Sequence, residues 1–344
     1  MTVMSKSEFR HNAGFAARHK KLLITLAVIL FIIIALVASY FIIIKLGERR
    51  LRNRLSFDDT KLPPVGTESV PEEADAYYNG VAYNYNEDLI NVLVIGVDRA
   101  APNDSVTHQA DSFYLFSLDP VAKKANIVAV SRNTMAEIDI YDSNNRFLTT
   151  SKAQLCLAYS YGTTAKQSSD LTVKAVSKLF YNLPISGYYA IYMDAVPEVM
   201  SAVGKVPVRL EEDLTAISPE MKNGAEVWIT SKNVLRFLRY RKASNEVRSN
   251  RQQKFLMSFA QQAKSAMRND LSLPVKLYKR IAKNTVTDID VTGAAFLASE
   301  ALGADFQFRS VQGTVGAEGN LETFTIDENQ FYQLLLDVFY KEIK

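Results

Sequence analysis

Cysteine is almost absent: Cys156 is the only one in 344 residues, so an intrachain disulfide and a cysteine-rich metal site are both ruled out. Set in Gln154-Leu-Cys-Leu-Ala158, it is expected to be a buried apolar filler rather than a nucleophile. Histidine is scarce as well. His11 and His19 sit near the start, and only His108 is left for the rest of the chain. Histidine-pair zinc sites are therefore excluded, and a Ser–His–Asp triad is not expected. Charge of one sign is also lacking: the net charge is +3, too small to indicate a nucleic-acid partner. No internal repeat and no low-complexity tract is present.

What the chain does have, in one place, is an unbroken apolar run. Leu22–Ile44 carries no charged residue and, as a helix, reaches roughly the 30 Å of a bilayer's hydrocarbon core. A soluble helix is rarely apolar on every face for that length. The run passes directly into Lys45-Leu-Gly-Glu-Arg-Arg50, unlike a signal peptide with its small-residue cleavage site. It is read as a transmembrane helix. Arg10, Arg18, Lys20 and Lys21 before it nearly balance Lys45, Arg49, Arg50, Arg52 and Arg54 after it, so flanking charge alone sets no direction. The expected arrangement is a cytoplasmic tail (1–21), the membrane helix (22–44), a juxtamembrane stalk or linker (45–87) and an extracytoplasmic domain (88–344). The linker reading rests on Pro63-Pro64, Pro71, several acids and the tyrosine-rich 77–85, which together show no clear period.

The domain opens with Leu89-Ile-Asn-Val-Leu-Val-Ile-Gly-Val97, nearly continuous in apolar residues, as expected of a strand buried on both faces. Strands follow at 112–118 and 125–130, joined by a turn at Asp119-Pro120 short enough for antiparallel neighbours. Helices are predicted over 153–161, 169–181, 195–203, 231–240, 249–268 and 291–301. Further strands are predicted over 188–193 and 206–210, with a docked terminal helix over 328–340. Mixed elements in this order predict an α/β fold, an α/β/α sandwich with a central mixed sheet. Trp228 is expected to pack on a strand face rather than to serve as a sugar platform, and Tyr188, Tyr189 and Tyr192 to be ordinary sheet residues. Ser131 has no base in sight, so a nucleophilic role is not expected.

If the first three strands form a meander, strand one ends at Asp98, strand two starts at Asp111, and strand three leads into Ser131-Arg132-Asn133-Thr134. Asp98, Asp111 and Arg132 then share one rim of the sheet. Two carboxylates and an arginine there suit a hard cation such as Mg²⁺ bridged to a phosphate; the plainer alternative is three solvated loop charges. A second signal is cationic. Arg236, Arg239, Arg241, Lys242, Arg248, Arg251 and Lys254 face a single nearby acid, Glu246. In the helix after Arg248 the apolar stripe runs Phe255, Phe259, Ala263, Met267. Stepping back by four places Arg251 on that row, and Arg248 with Gln252 on the row of Leu256 and Ala260. Both arginines therefore lie on the core-facing side of an expected first turn, where the helix dipole disfavours cations and burial is costly. A bound anion removes both objections, since a helix N-terminus attracts phosphate and guanidinium grips it bidentately.

These pieces together resemble the LytR-CpsA-Psr family of bacterial membrane-anchored phosphotransferases, from about Leu89 to Lys264. The matching segments are Asn91-Val-Leu-Val-Ile-Gly-Val-Asp98, Ala110-Asp111-Ser112, Val130-Ser-Arg132-Asn-Thr134, Ala158-Tyr-Ser-Tyr-Gly162, and Arg239-Tyr-Arg241 with Arg248-Ser-Asn-Arg251-Gln252-Gln253. The resemblance implies an α/β/α sandwich with a long apolar pocket for a polyprenyl chain. It implies transfer of a glycopolymer from a polyprenyl-pyrophosphate carrier onto a peptidoglycan acceptor at the membrane, with no nucleic acid and with envelope-synthesis enzymes as possible partners. By motif position it makes Asp98 and Asp111 ligands of Mg²⁺ (or Mn²⁺). It assigns Arg132, Arg239, Arg241, Arg248 and Arg251 to the pyrophosphate, with Gln252 supporting its oxygens or the neighbouring loop. Asp98, Asp111, Arg132 and Arg251 form the expected catalytic set, and the general base is Asp111 or Asp98. Three departures bear on activity: Gln109 where the family often has Arg, and Asn133 and Asn245 where it often has Asp. Gly204-Lys205-Val206 also stands where Gly-Gly-Val is typical. The alternative to the enzyme is a weak or inactive binding or scaffold protein for lipid-linked envelope polymers. A transcriptional role fits poorly, because the tail before Leu22 is too short for a DNA-binding fold.

Overall fold

The computed structural model describes residues 38–55, 60–64, 69–98, 108–240, 245–319 and 321–343. Most of the expected membrane helix lies outside them, and among the described residues no helix is long and apolar enough to cross a membrane. The described part of the first helix, α1, covers 38–52.

At the centre is a six-stranded mixed sheet. Its strands are β1 (Ile90–Val97), β2 (Ala110–Asp119), β3 (Lys124–Val130), β4 (Gly187–Tyr192), β5 (Thr285–Thr287) and β6 (Asp305–Ser310). The spatial order is β5-β4-β1-β2-β3-β6. β1, β2 and β3 form the predicted antiparallel meander, while β4 joins β1 and β6 joins β3 in parallel. The Asp119 carboxylate closes the β2–β3 turn by accepting the amides of Val121 and Ala122.

Helices cover both faces. Against one lie α2 (Ala165–Leu179), the 3₁₀ segment Leu155–Tyr161 and the terminal helix α8 (Glu328–Phe339). They seal a core of Leu93, Ile95, Phe113, Leu115, Val128 and Tyr188, which also takes in Cys156 as the expected apolar filler. The other face meets α1, α5 (Asn245–Asn269) and α7 (Val291–Gly303). Nearby, α3 (Ala195–Val203) and α4 (Val234–Arg239) share with α5 a core under a two-stranded ribbon, Val206–Arg209 paired with Glu226–Ile229, and α6 (Leu273–Ile281) lies against α3 and α7.

The region expected as a stalk differs from that expectation. Ala76–Tyr78 and Val81–Tyr85 form a hairpin that also pairs with Tyr340–Glu342. Its turn is Asn79-Gly80, both with positive φ, the two-residue geometry that twists with its strands. Upstream, α1 is docked. Leu51 is buried in the core beneath α7, Arg50 pairs with Asp290, and Arg54 with Asp288. A Cβ on Gly47 would meet the Thr292 carbonyl oxygen at 2.1 Å, so only glycine permits this approach. Trp228 also differs from expectation. It stands on the outer face of its ribbon, exposed, because the alternate residues Val227 and Ile229 take the core side.

Candidate functional site

The sheet register brings the predicted carboxylates together. Gly96 faces Ser112 and Val97 faces Ala110, with an irregularity between them, so Asp98 and Asp111 emerge at neighbouring strand ends. A Cβ on Gly96 would crowd the Ser112 Oγ, so any side chain here would force that hydroxyl to rotate away. Arg132 follows β3 at the same rim. A turn bond from the Thr134 amide to the Ser131 carbonyl, and the Cys156 amide donating to the Arg132 carbonyl, hold its backbone.

Each carboxylate already faces an arginine. Arg132 forms an ion pair with Asp111 and donates to the Gln109 side-chain oxygen at 2.6 Å. Arg239, the last residue of α4, reaches across to Asp98. These pairs stay within reach of solvent: the side chains of Arg239 and Asp98 are 48% and 37% exposed, and those of Arg132 and Asp111 28% and 12%. Behind the rim, Ser160 Oγ donates to the His108 carbonyl at 2.8 Å, which ties the approach to β2 to the Ala158–Gly162 motif. Asn133 points away, donating to Glu322 at 2.8 Å.

The arginines of α5 separate into two roles. Arg248 lies close enough to Tyr114 on β2 to act on its ionisation: burial pushes the phenol up to about 12, against a downward pull from the Arg248 charge. Gln252 Nε2 reaches the Leu238 carbonyl of α4 at 3.5 Å. Arg251 departs from expectation. The helix starts at Asn245 rather than 249, so Arg251 falls in the second turn. It is on the core side as its phase predicted, but a protein carboxylate neutralises it: Nη1 donates to Glu212 Oε1 at 2.7 Å, and Nη2 to the Tyr240 carbonyl at 2.6 Å. Its side chain is 3% exposed. Arg241 and the side chain of Asn245 lie outside the described residues.

Sequence reasoning missed Glu212 and Tyr114. The buried phase of Arg251 demanded a counter-charge, but Glu212 lies 39 residues away, and no local spacing connects the two.

The sheet face beneath α5 supplies the remaining feature. Val94, Ser112, Tyr114, Ile127, Ala129 and Ile191 are only half-buried, as are Leu256, Phe259 and Ala263 on α5. Farther from the rim the same face closes over Val92, Leu118 and Ala125. The result is an apolar surface opening toward the charged rim.

Two carboxylates and an amide oxygen at one rim are hard oxygen donors. Mg²⁺ is commonly held by one or two carboxylates with substrate phosphates completing its shell, so these residues fit it. A self-sufficient protein cage is not built: among the described residues no group of three or more His, Cys, Asp or Glu is placed to hold a metal.

Comparisons with known proteins agree with this architecture. The LytR_cpsA_psr family matches residues 66–337. A polyisoprenyl-teichoic acid–peptidoglycan teichoic acid transferase TagU of Bacillus mycoides is 26% identical over 174 residues, 50% of this chain and 51% of that protein. The TagU of Halalkalibacterium halodurans is 21% identical over 221 residues, 63% of this chain and 67% of that protein. The chain thus spans about half the length of the first of these relatives. Among solved structures, B. subtilis TagV superposes with a TM-score of 0.57 at 21% identity, over 73% of this chain and 95% of that one. TagT bound to LIIa-WTA gives 0.57 at 17% identity, over 73% and 89%.

Proposed function

The chain belongs to the LytR-CpsA-Psr family, and from that premise we propose that it is a membrane-anchored phosphotransferase. It moves a glycopolymer from a polyprenyl-pyrophosphate carrier onto a peptidoglycan hydroxyl. The observation that carries the reading is the rim itself: Asp98–Arg239 and Asp111–Arg132 side by side, solvent-accessible, at the mouth of a half-buried apolar sheet face. A pyrophosphate with an apolar tail matches both halves of that arrangement.

In the reaction, the acceptor oxygen attacks the phosphorus that bears the polymer. The bridging P–O bond breaks, polyprenyl phosphate leaves, and the acceptor proton passes to a carboxylate. Phosphoryl transfer asks of the protein mainly positioning and charge neutralisation. Arg132, Arg239 and Arg248, with Arg241, neutralise the phosphate oxygens, and guanidinium suits them geometrically. Asp98 and Asp111 would hold Mg²⁺, which supplies further charge neutralisation when bound. To grip the phosphate the arginines must leave Asp98 and Asp111, and the freed carboxylates would then be available to hold the cation. Asp98 or Asp111 accepts the acceptor's proton. Leu22–Ile44 anchors the chain with 1–21 in the cytoplasm and the domain outside, where such a carrier is presented; the docked α1 keeps the site near that surface.

The competing reading, a binding or scaffold protein, draws support from the neutral Gln109 and from Asn133 turned toward Glu322. Incubation with a polyprenyl-pyrophosphate glycopolymer, a peptidoglycan acceptor and Mg²⁺ decides between them. Wild type should release polyprenyl phosphate. Asp98→Ala and Arg132→Ala should each lower the rate at least about a hundredfold. Equal rates for the wild type and both variants would sink the enzyme reading.

A further inference from the structure

We propose that Glu212 is a positioning residue for the pyrophosphate clamp, acting through Arg251 on the Arg239-Tyr240 end of α4. The proposal rests on the reading that this clamp receives a pyrophosphate. It also reassigns Arg251 from a ligand of that group to its support.

The argument begins with α4. This helix is only six residues long, too short to hold its shape unaided, yet its last residue is the arginine that reaches Asp98. At Tyr240 the chain leaves the helix for an extended conformation, φ −62° and ψ 127°. A carbonyl at such a helix end has no partner within the helix. Arg251 supplies one, donating at 2.6 Å, and a cation is favoured at this end of a helix. The same guanidinium lies over the rings of Phe237 and Tyr240, 5.6 and 5.8 Å from their centroids. One side chain thus grips α4 by a carbonyl and by two aromatic faces, directly behind Arg239.

A cation that is 3% exposed requires a counter-charge, and Glu212, itself 12% exposed, provides it. Glu212 sits just beyond the ribbon strand Val206–Arg209, whose Val206 and Val208 are buried in the core that includes Phe237 and Phe255. The carboxylate is therefore mounted on a packed element, and the line of support runs from the ribbon through Glu212 and Arg251 to Tyr240 and the clamp. With the Glu212 charge removed, Arg251 is left buried and uncompensated, and the Tyr240 carbonyl loses its donor as the guanidinium withdraws.

The test uses the full chain in detergent, with inorganic pyrophosphate and Mg²⁺ as the calorimetric probe. Glu212→Gln should weaken pyrophosphate binding about tenfold, while Glu212→Asp recovers most of it. In an Arg239→Ala background the Glu212→Gln effect should shrink to less than about twofold, because the two act through one turn. Hydrogen exchange without ligand supplies an independent readout: amides of 234–240 should exchange faster in Glu212→Gln, with α2 and α8 unchanged. Equal or tighter pyrophosphate binding would show Arg251 to be a ligand that Glu212 restrains, and would overturn the proposal. Unchanged exchange over 234–240, or a rise spread across α2 and α8, would overturn it as well. If the wild type itself ignores pyrophosphate, the function reading fails, and the exchange result still decides the role of Glu212.

Discussion

The two faces of the central sheet are built from the same strands and serve opposite ends. Toward α2 and α8, Leu93, Ile95, Phe113, Leu115 and Tyr188 are sealed in one continuous core. Toward α5, their alternate neighbours Val94, Ser112, Tyr114 and Ile191 are half-buried. Strand alternation makes the division automatic, since consecutive side chains point to opposite faces. A single strand such as β2 thereby stabilises the fold with its odd-numbered residues and lines the apolar cleft with its even-numbered ones. The lesson concerns placement: the cleft is open only near the rim, where Asp98 and Asp111 end their strands, and closed at the far end by α1 and α7.

The contrast can be broken from the sealed side first. Phe113→Ala should lower unfolding free energy by about 3–5 kcal/mol, measured in urea, with no specific effect on ligand affinity beyond the unfolded fraction. On the open face, Ala129→Leu should cost no more than about 1–3 kcal/mol. It should nevertheless weaken binding of a fluorescent polyprenyl phosphate severalfold while leaving inorganic pyrophosphate unaffected. If both probes weaken equally, the half-buried face is not where the chain lies.

Acid offers a finer cut. On the sealed side, Asp139 links the hairpin Met135–Tyr141/Phe147–Gln154 to α2 by pairing with Lys174 and Lys178. Burial pushes its carboxyl up, but bonds from Lys174 and Thr150 outweigh this and leave the pKa below the usual aspartate value. A depressed carboxyl stabilises the fold above its unfolded pKa of about 3.9 and ceases to do so as pH falls through the folded value. Stability from this pair should thus be level from pH 7 to 5 and decline below about pH 4. Asp139→Asn should flatten that acid limb in a pH series of thermal melts. The smallest effect is expected at the exposed Lys166–Asp170 pair on α2, where Lys166→Ala should change stability by less than about 0.5 kcal/mol.

Much of this was legible in order along the chain. The meander β1–β3 follows from apolar runs and a short turn, and α3 falls on the predicted 195–203. The phase of the α5 stripe foretold that Arg251 is buried. Two local signals stand beside stronger ones that mask them. Asn79-Gly80 between tyrosine-rich segments is a strong hairpin signal, obscured by the prolines before it. Ser272-Leu-Pro274 marks the start of α6, hidden beside the longer α5. The hairpin 135–154 was harder, because the whole of Phe147–Lys152 is exposed and carries no burial pattern to read.

By itself the sequence determined the meander of β1, β2 and β3 and several of the helices, which strand ends carry carboxylates, and that one arginine of α5 faces inward. Periodicity and strand alternation are local properties, so a one-dimensional record contains them. Only the tertiary structure decided the partners: Glu212 for Arg251, Arg239 for Asp98, the Tyr340–Glu342 strand for the hairpin Ala76–Tyr85. Each joins residues far apart in the chain, and which ends meet depends on how all the layers pack, which no local spacing encodes.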